Sequence, residues 1–261
     1  MNQEIIANFR AKLDAGKCVF GPFMKTCDPA FVEAAGWGGM DFAILDMEHG
    51  PVSIQGMQNN IRGAQIAGIL PVVRVPSVTE EAIGKALDIG AAAVEMPQIT
   101  NALQAREAVK LAKFYPQGER GMCRFVRAAQ YSTTPRQDYF AGANDALVIV
   151  QLEGTEAIAN IEEILDVPGI DIAFIGPYDL SQSLGLPGQT THPKVLEAMQ
   201  RMIATAKKKG VVIGTFTDTF ETMKMWMDAG VQYISYSVDV GIFAEACRSL
   251  VNQFECSQDK K

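Results

Sequence analysis

The strongest constraint on this chain is a rhythm. Short apolar runs, five to nine residues long and rich in Val, Ile and Ala, alternate with longer amphipathic stretches almost from end to end. Eight such runs stand out: Cys18 to Pro22, Asp41 to Glu48, Leu70 to Val75, Ala91 to Met96, Ala146 to Gly154, Ile170 to Gly176, Gly210 to Phe216 and Tyr233 to Ser237. Helical patterns fill most of the gaps, for example Glu80 to Ile89, Ala102 to Lys113 and Pro193 to Lys209. A run that is apolar throughout reads as a parallel strand buried on both faces. Eight strands in βα alternation predict an α/β fold of the closed (β/α)8 TIM-barrel type in preference to a doubly wound sheet. The length of 261 residues suits one such barrel, for which roughly 250 is typical. The chain therefore reads as a single domain over residues 1–261, with a polar, frayed tail from about residue 251.

Composition excludes several function classes. The net charge of −7 leaves no basic footprint for nucleic acid. No run approaches the roughly 20 apolar residues of a membrane span, and the amphipathic start, with Ile5, Ile6, Phe9 and Leu13 at helical spacing, is no signal peptide. Five Cys without a CxxC pair suit free thiols in a reducing compartment. The expectation is a cytoplasmic protein. One long irregular section, Tyr115 to Ala143, carries Arg120, Arg124 and Arg127. It reads either as a functional excursion or as a subunit contact.

In a barrel, strand bodies fill the core and their C-terminal ends carry chemistry. The run Ala146 to Gly154 is apolar until it ends in Gln151 and Glu153, which share a face with Ile149 because strand side chains alternate. The next run releases Asp179 just past Gly176 and Pro177. Asp46, Glu48 and His49 follow the second strand, Arg74 lies in the third, and the fourth gives Glu95. All would gather at one mouth. Glu153 and Asp179 are hard oxygen ligands suited to Mg2+ or Mn2+, or else they pair with Arg74 or a lysine. His49 is the one histidine at a strand end, where a carboxylate such as Asp46 would make it an oriented base; the bland reading is a hydrogen-bonded structural histidine. His192, before a helix, reads as a capping residue. Arg74 within an apolar strand needs an anionic partner, a substrate oxyanion or Glu48 or Glu95. The turn at Gly176, Pro177 and Ser181 opens a helix whose backbone N–H groups could hold a small carboxylate, or merely shapes the chain. No lysine stands at an expected strand end, which argues against Schiff-base chemistry.

Taken in order, Asp46-Met-Glu-His-Gly-Pro51, Pro71-Val-Val-Arg-Val-Pro76, Leu87-Asp-Ile-Gly90, Tyr115-Pro-Gln-Gly-Glu-Arg-Gly121, Gln151-Leu-Glu153 and Gly176-Pro-Tyr-Asp-Leu-Ser181 resemble the HpcH/HpaI family of metal-dependent pyruvate aldolases. The likeness spans about Phe20 to Asp239. It implies a class II aldol reaction, cleavage or condensation, in which pyruvate or another 2-oxo acid reacts with an aldehyde through a metal-bound enolate. It implies Glu153 and Asp179 as ligands of a divalent cation (Mg2+, Mn2+ or Co2+), His49 with its orienting Asp46, Arg74 on the keto and aldehyde oxygens, and Gln151 beside the 2-oxo acid. It also implies a homo-oligomer, often a hexamer, with a C-terminal helix near Val240 to Phe254 exchanged between subunits. Related carbon–carbon lyase chemistry, such as oxaloacetate decarboxylation or citrate-lyase-like cleavage, is the alternative; a non-catalytic binding barrel is the remote one. Two positions depart from the family pattern: Gly154 stands for a usual Thr, and Phe216 for a smaller aliphatic residue, which puts the aldehyde partner in doubt more than the 2-oxo acid.

Overall fold

The computed structural model describes residues 2–258. Its elements run α1 (Gln3–Asp14), β1 (Val19–Met24), α2 (Pro29–Trp37), β2 (Phe42–Asp46), α3 (Ile54–Ile66), β3 (Leu70–Arg74), α4 (Glu80–Asp88), β4 (Ala93–Met96), α5 (Ala102–Ala112), α6 (Arg136–Gly142), β5 (Leu147–Leu152), α7 (Thr155–Ala159), α8 (Ile161–Leu165), β6 (Ile172–Ile175), α9 (Pro177–Ser183), α10 (Pro193–Lys209), β7 (Val212–Thr217), α11 (Phe220–Ala229), β8 (Tyr233–Val238) and α12 (Asp239–Gln258). The eight strands pair in parallel, each with its sequence neighbours, and β1 pairs with β8 to close a barrel. The alternation of apolar runs and helices thus folds as expected.

Two apolar layers hold it. Inward-facing side chains of alternate positions, among them Phe23, Phe42, Ile44, Val72, Ile149, Phe174 and Tyr233, fill the barrel. Helix α1 plugs its N-terminal end, with Ile6, Phe9 and Leu13 buried. Phe9 meets Phe42 and Tyr233 edge-on at 6.1 and 6.2 Å, an arrangement the ring quadrupoles favour. Outward-facing residues such as Leu45, Val73, Val94, Val150 and Ile175 pack under the ring of helices. Side-chain caps start many of these helices: Asp28, Ser53, Thr79, Asn101 and Thr219 each accept a backbone N–H of the first turn.

Strand β1 runs on to Met24, past Pro22, with a register irregularity against β8 between Gly21 and Phe23. The section after Tyr115 holds a 3-10 stretch, Arg127–Ser132, and α6. Its arginines tie it to the N-terminal end of the barrel. Arg120 pairs with Asp88 at 2.6 Å and lies over Phe114, and Arg127 donates to the Ile89 carbonyl at 3.0 Å. The tail expected from about residue 251 is instead helical through Gln258, and residues 259–261 lie outside the described residues. Helix α12 stands away from its own barrel: Asp239 is its one buried residue.

Candidate active site

The in-register row Asp46, Arg74, Glu95 places one ionisable side chain at the ends of three neighbouring strands. Asp46, wholly buried, accepts both Nε and Nη2 of Arg74, at 2.9 and 2.8 Å. It also accepts the backbone N–H groups of Glu48 and His49, at 3.0 and 3.2 Å. Burial alone would raise the Asp46 carboxyl, but the hydrogen bonds and charge of Arg74 outweigh it and hold the pKa below its ordinary value. Arg74 Nη1 reaches Glu48 Oε2 at 3.0 Å, and the guanidinium lies over the Phe23 ring at 4.6 Å. Two carboxylates thus lock Arg74 in one orientation. Its partners are Asp46 and Glu48; of the two glutamates that the sequence offers as its partner, Glu48 makes the pair and Glu95 does not.

This corrects the role expected of Asp46. Its carboxylate is committed to Arg74 and touches His49 only at the backbone. The imidazole is 60% exposed, and its nearest carboxylate is Glu48, 3.9 Å away. The tight turn between them puts the Asp46 side chain inward and the His49 side chain outward, which their spacing of three residues does not reveal.

Glu153 follows β5 and is buried. Its Oε1 accepts the Gln98 N–H at 2.9 Å and its Oε2 accepts Gln151 Nε2 at 2.5 Å. Burial pushes its carboxyl up to about 7, the two hydrogen bonds opposing and the negative charges of Asp179 and Glu48 reinforcing. Asp179, exposed in the first turn of α9, lines a pocket together with Gln151, whose amide holds Glu153. Neither Glu153 nor Asp179 forms an ion pair among the described residues, so the alternative of pairing with Arg74 or a lysine is not realised. Among the described residues no three His, Cys, Asp or Glu side chains gather as a metal cage. The donor set is therefore two hard carboxylates that raise each other's energy when both are charged, and a divalent cation relieves that repulsion. The residues fit such an ion, with coordination positions left for water and a chelating substrate.

Gly176 caps this corner. A Cβ there would lie 2.6 Å from Glu153 Oε2, so the turn is glycine because the carboxylate needs the space. Pro177 starts α9 with no N–H to satisfy. Ser181 is wholly buried; its hydroxyl donates to the Tyr178 carbonyl at 2.6 Å and accepts the Gly188 N–H at 3.0 Å. The side chain thus shapes the loop after α9, the second of the two readings offered by this turn. At Gly154 nothing lies within 4 Å of a would-be Cβ.

Between these groups lies a pocket of about 330 Å3, bordered by Arg74, Gln151, Gly176, Pro177 and Asp179 and walled by Phe23, Phe174 and Phe216. Lys25 also lines it, at the C-terminal end of β1, with Nζ 3.5 Å from Asp46 Oδ2. A lysine does therefore stand at a strand end. It was hidden because the first apolar run was ended at Pro22, two residues short of β1's end. Tyr178 and Asp218 were missed as well. They bond to each other across the rim at 2.5 Å, and that bond, with burial and the Asp218 charge, pushes the Tyr178 hydroxyl up to about 12.

The profile of the HpcH/HpaI aldolase/citrate lyase family matches residues 20–246. A hydroxypyruvate/pyruvate aldolase of Paraburkholderia phytofirmans is 34% identical over 252 residues, covering 94% of this chain and 96% of the relative. A 2-dehydro-3,6-dideoxy-6-sulfogluconate aldolase of Pseudomonas putida is 33% identical over 232 residues, covering 88% and 90%. Among solved structures, an HpcH/HpaI aldolase/citrate lyase family protein of Burkholderia cenocepacia superposes with a TM-score of 0.90 at 33% identity, covering 95% of this chain and 99% of that one.

Proposed function

The chain belongs to the HpcH/HpaI aldolase/citrate lyase family, and on that premise we propose that it is a divalent-metal-dependent class II aldolase. It makes or breaks the bond between C3 of a 2-oxo acid, pyruvate above all, and the carbonyl carbon of an aldehyde, through the enolate of the 2-oxo acid. The observation that carries the reading is Asp179 at a pocket with a locked Arg74, and Glu153 held just behind its lining residues Gln151 and Gly176, both carboxylates without an ion-pair partner among the described residues.

Glu153 and Asp179 are the residues that would hold Mg2+, Mn2+ or Co2+. When bound, the cation supplies Lewis-acid stabilisation of the charge that develops on the keto oxygen. Arg74, oriented by Asp46 and Glu48, presents fixed positive charge to the pocket, preorganised for the oxyanion of either half of the reaction. Gln151 keeps Glu153 in place through its amide N–H and borders the 2-oxo acid. Gly176 and Pro177 bring the start of α9 close to that carboxylate. His49 moves the C3 proton from the rim, with Glu48 as the carboxylate beside its imidazole. Phe23, Phe174 and Phe216 limit water at the nucleophilic carbon.

The helix α12 supports a homo-oligomer. Val240, Phe243, Leu250, Val251 and Phe254 are all exposed on it, and an isolated helix with such side chains is stabilised by packing, not by propensity. A second copy of the chain is the proposed cover, by the helix exchange that the family resemblance implies. No helix among the described residues is long and apolar enough to cross a membrane, and all five cysteines are free thiols, which favours the reducing cytoplasm.

The test is incubation with pyruvate, a panel of aldehydes and Mg2+, Mn2+ or Co2+. Metal-dependent aldol products that disappear in Glu153→Ala are expected. Decarboxylation of oxaloacetate with no aldol product from any aldehyde would move the assignment to the related lyase chemistry. Full activity in Glu153→Ala would refute the metal site.

A further inference from the structure

Five buried side-chain atoms without a hydrogen-bond partner belong to inward-facing positions of the barrel: both carboxylate oxygens of Glu95, Gln151 Oε1, Tyr233 Oη and Ser235 Oγ. Glu95 follows inward-facing Ala93 by two residues on β4, Gln151 follows Ile149 on β5, and Ser235 follows Tyr233 on β8, so strand alternation turns all four toward the axis. Buried polar groups in folded proteins are hydrogen-bonded, and a cluster of such atoms calls for a physical account.

Their chemistry is complementary. The Gln151 amide is fixed at one end, because Nε2 donates to Glu153 Oε2. Its Oε1 is then an acceptor in need of a donor. A carboxylate cannot donate, but a carboxylic acid can. Glu95 is wholly enclosed, and burial pushes its carboxyl up to about 8; the Arg74 charge opposes this, and those of Glu153, Asp46 and Glu48 reinforce it. Glu95 stands in register with Ile149, and Gln151 is the next inward residue of β5. With neighbouring strands about 4.8 Å apart and a rise of about 3.3 Å per residue, such diagonal neighbours lie roughly 8 Å apart at the backbone, within reach of two long side chains. Tyr233 is stacked on Phe42 at 4.2 Å, which fixes its ring. Burial and then the Glu95 charge raise its hydroxyl well above the ordinary value, so it remains an O–H donor beside that carboxyl.

We propose that Glu95 is a positioning residue: as a carboxylic acid on the barrel axis it donates to Gln151 Oε1, directly or through one ordered water, while Tyr233 and Ser235 reach its other oxygen through ordered water, and this chain of bonds aims Gln151 Nε2 at Glu153. The two ends of an amide are nearly isosteric, so without a donor for Oε1 only the Nε2 bond to Glu153 opposes the turning over of the Gln151 side chain. It would then set Oε1 against the Glu153 carboxylate, oxygen against oxygen, and displace the proposed cation ligand. The inference rests on the aldolase reading in one respect, that Glu153 binds the cation.

The experiment is titration of the full-length protein with Mn2+, followed by electron paramagnetic resonance, for wild type, Glu95→Leu and Glu95→Gln. Outer residues that orient metal ligands are typically worth 10–100-fold in affinity. Glu95→Leu should therefore bind Mn2+ about 10–100-fold more weakly. Glu95→Gln, whose amide still donates, should restore binding to near the wild-type level. Alongside, the infrared difference spectrum of wild type against Glu95→Gln at neutral pH should show the carbonyl stretch of a protonated carboxyl, shifted in Tyr233→Phe. Wild-type affinity in Glu95→Leu, or absence of the protonated-carboxyl band, overturns the proposal. If Glu95→Leu does not fold, the band and its response to Tyr233→Phe decide alone. A wild-type protein that binds no Mn2+ sinks the aldolase reading and leaves the infrared band to judge the hydrogen-bond chain.

Discussion

Glu95→Gln should stabilise the protein, and by an amount that grows with pH. The Glu95 carboxyl lies at about 8 in the folded chain against 4.5 for the ordinary side chain. A folded-state value raised above the unfolded one means that folding takes up a proton throughout that window. The stability of the wild type is then fullest below about 4.5 and declines until the pH passes about 8. At pH 7 the proton uptake costs roughly 3 kcal/mol, and at pH 5 less than about 1 kcal/mol. A neutral isosteric amide removes that cost. Urea unfolding of wild type and Glu95→Gln at one protein concentration, from pH 5 to 8, measures the difference. The gap should widen from under 1 to about 3 kcal/mol between pH 5 and 7. A gap that stays constant across that range would mean that Glu95 is already ionised in the fold, and the argument from burial would fail. The charged groups that bear on it, Arg74, Asp46, Glu48 and Glu153, are unchanged in the variant, which isolates the Glu95 contribution.

Further outcomes follow from the same geometry. Arg74→Lys should fold with a loss of about 1–3 kcal/mol, because Lys cannot match both oxygens of Asp46; kcat should fall at least about 10²-fold, and wild-type turnover would remove Arg74 from the chemistry. His49→Ala should slow exchange of the pyruvate methyl protons into heavy water by roughly 10²–10⁴-fold with little change in metal affinity; unchanged exchange makes it a surface histidine. Asp46→Asn should mimic the Arg74 defect and not the His49 defect, since Asp46 grips the guanidinium and leaves the imidazole alone; comparison of the two exchange and stability profiles decides it. Gly176→Ala should leave the melting temperature near wild type but weaken Mn2+ binding tenfold or more, roughly the scale for a displaced ligand, because the new Cβ meets Glu153 Oε2 at 2.6 Å; unaltered binding would show that Glu153 has room to yield.

The barrel was legible because each strand is buried on both faces, so Leu70 to Arg74 or Leu147 to Leu152 reads as unbroken apolar sequence. The polar residues that interrupt such runs at their C-terminal ends, Arg74 and Gln151, gather at one pocket for the same reason, with Glu153 bonded to Gln151 behind it. What stayed illegible depends on direction. Asp46, Glu48 and His49 are near neighbours in sequence, yet their side chains go to Arg74, to Arg74 Nη1 and to the rim, and a tight turn sets those directions through backbone bonds. Ser181 reads like a substrate contact but faces inward on α9. Lys25 was hidden by Pro22, a residue that usually ends strands, at a place where a register irregularity lets β1 continue. The helical state of residues 251–258 was unreadable because it lacks the contrast between a buried and a solvated face within one chain.

The central claim is that a divalent cation on Glu153 and Asp179 activates the 2-oxo acid. Proton NMR of pyruvate in heavy water, with no aldehyde present, tests it most directly. Protein stripped of metal by a chelator should leave the methyl signal intact, and addition of Mg2+ or Co2+ should make it decay as deuterium replaces the protons. Glu153→Ala should remain silent at any metal concentration. Equal decay with and without metal, or in the variant, would contradict the account.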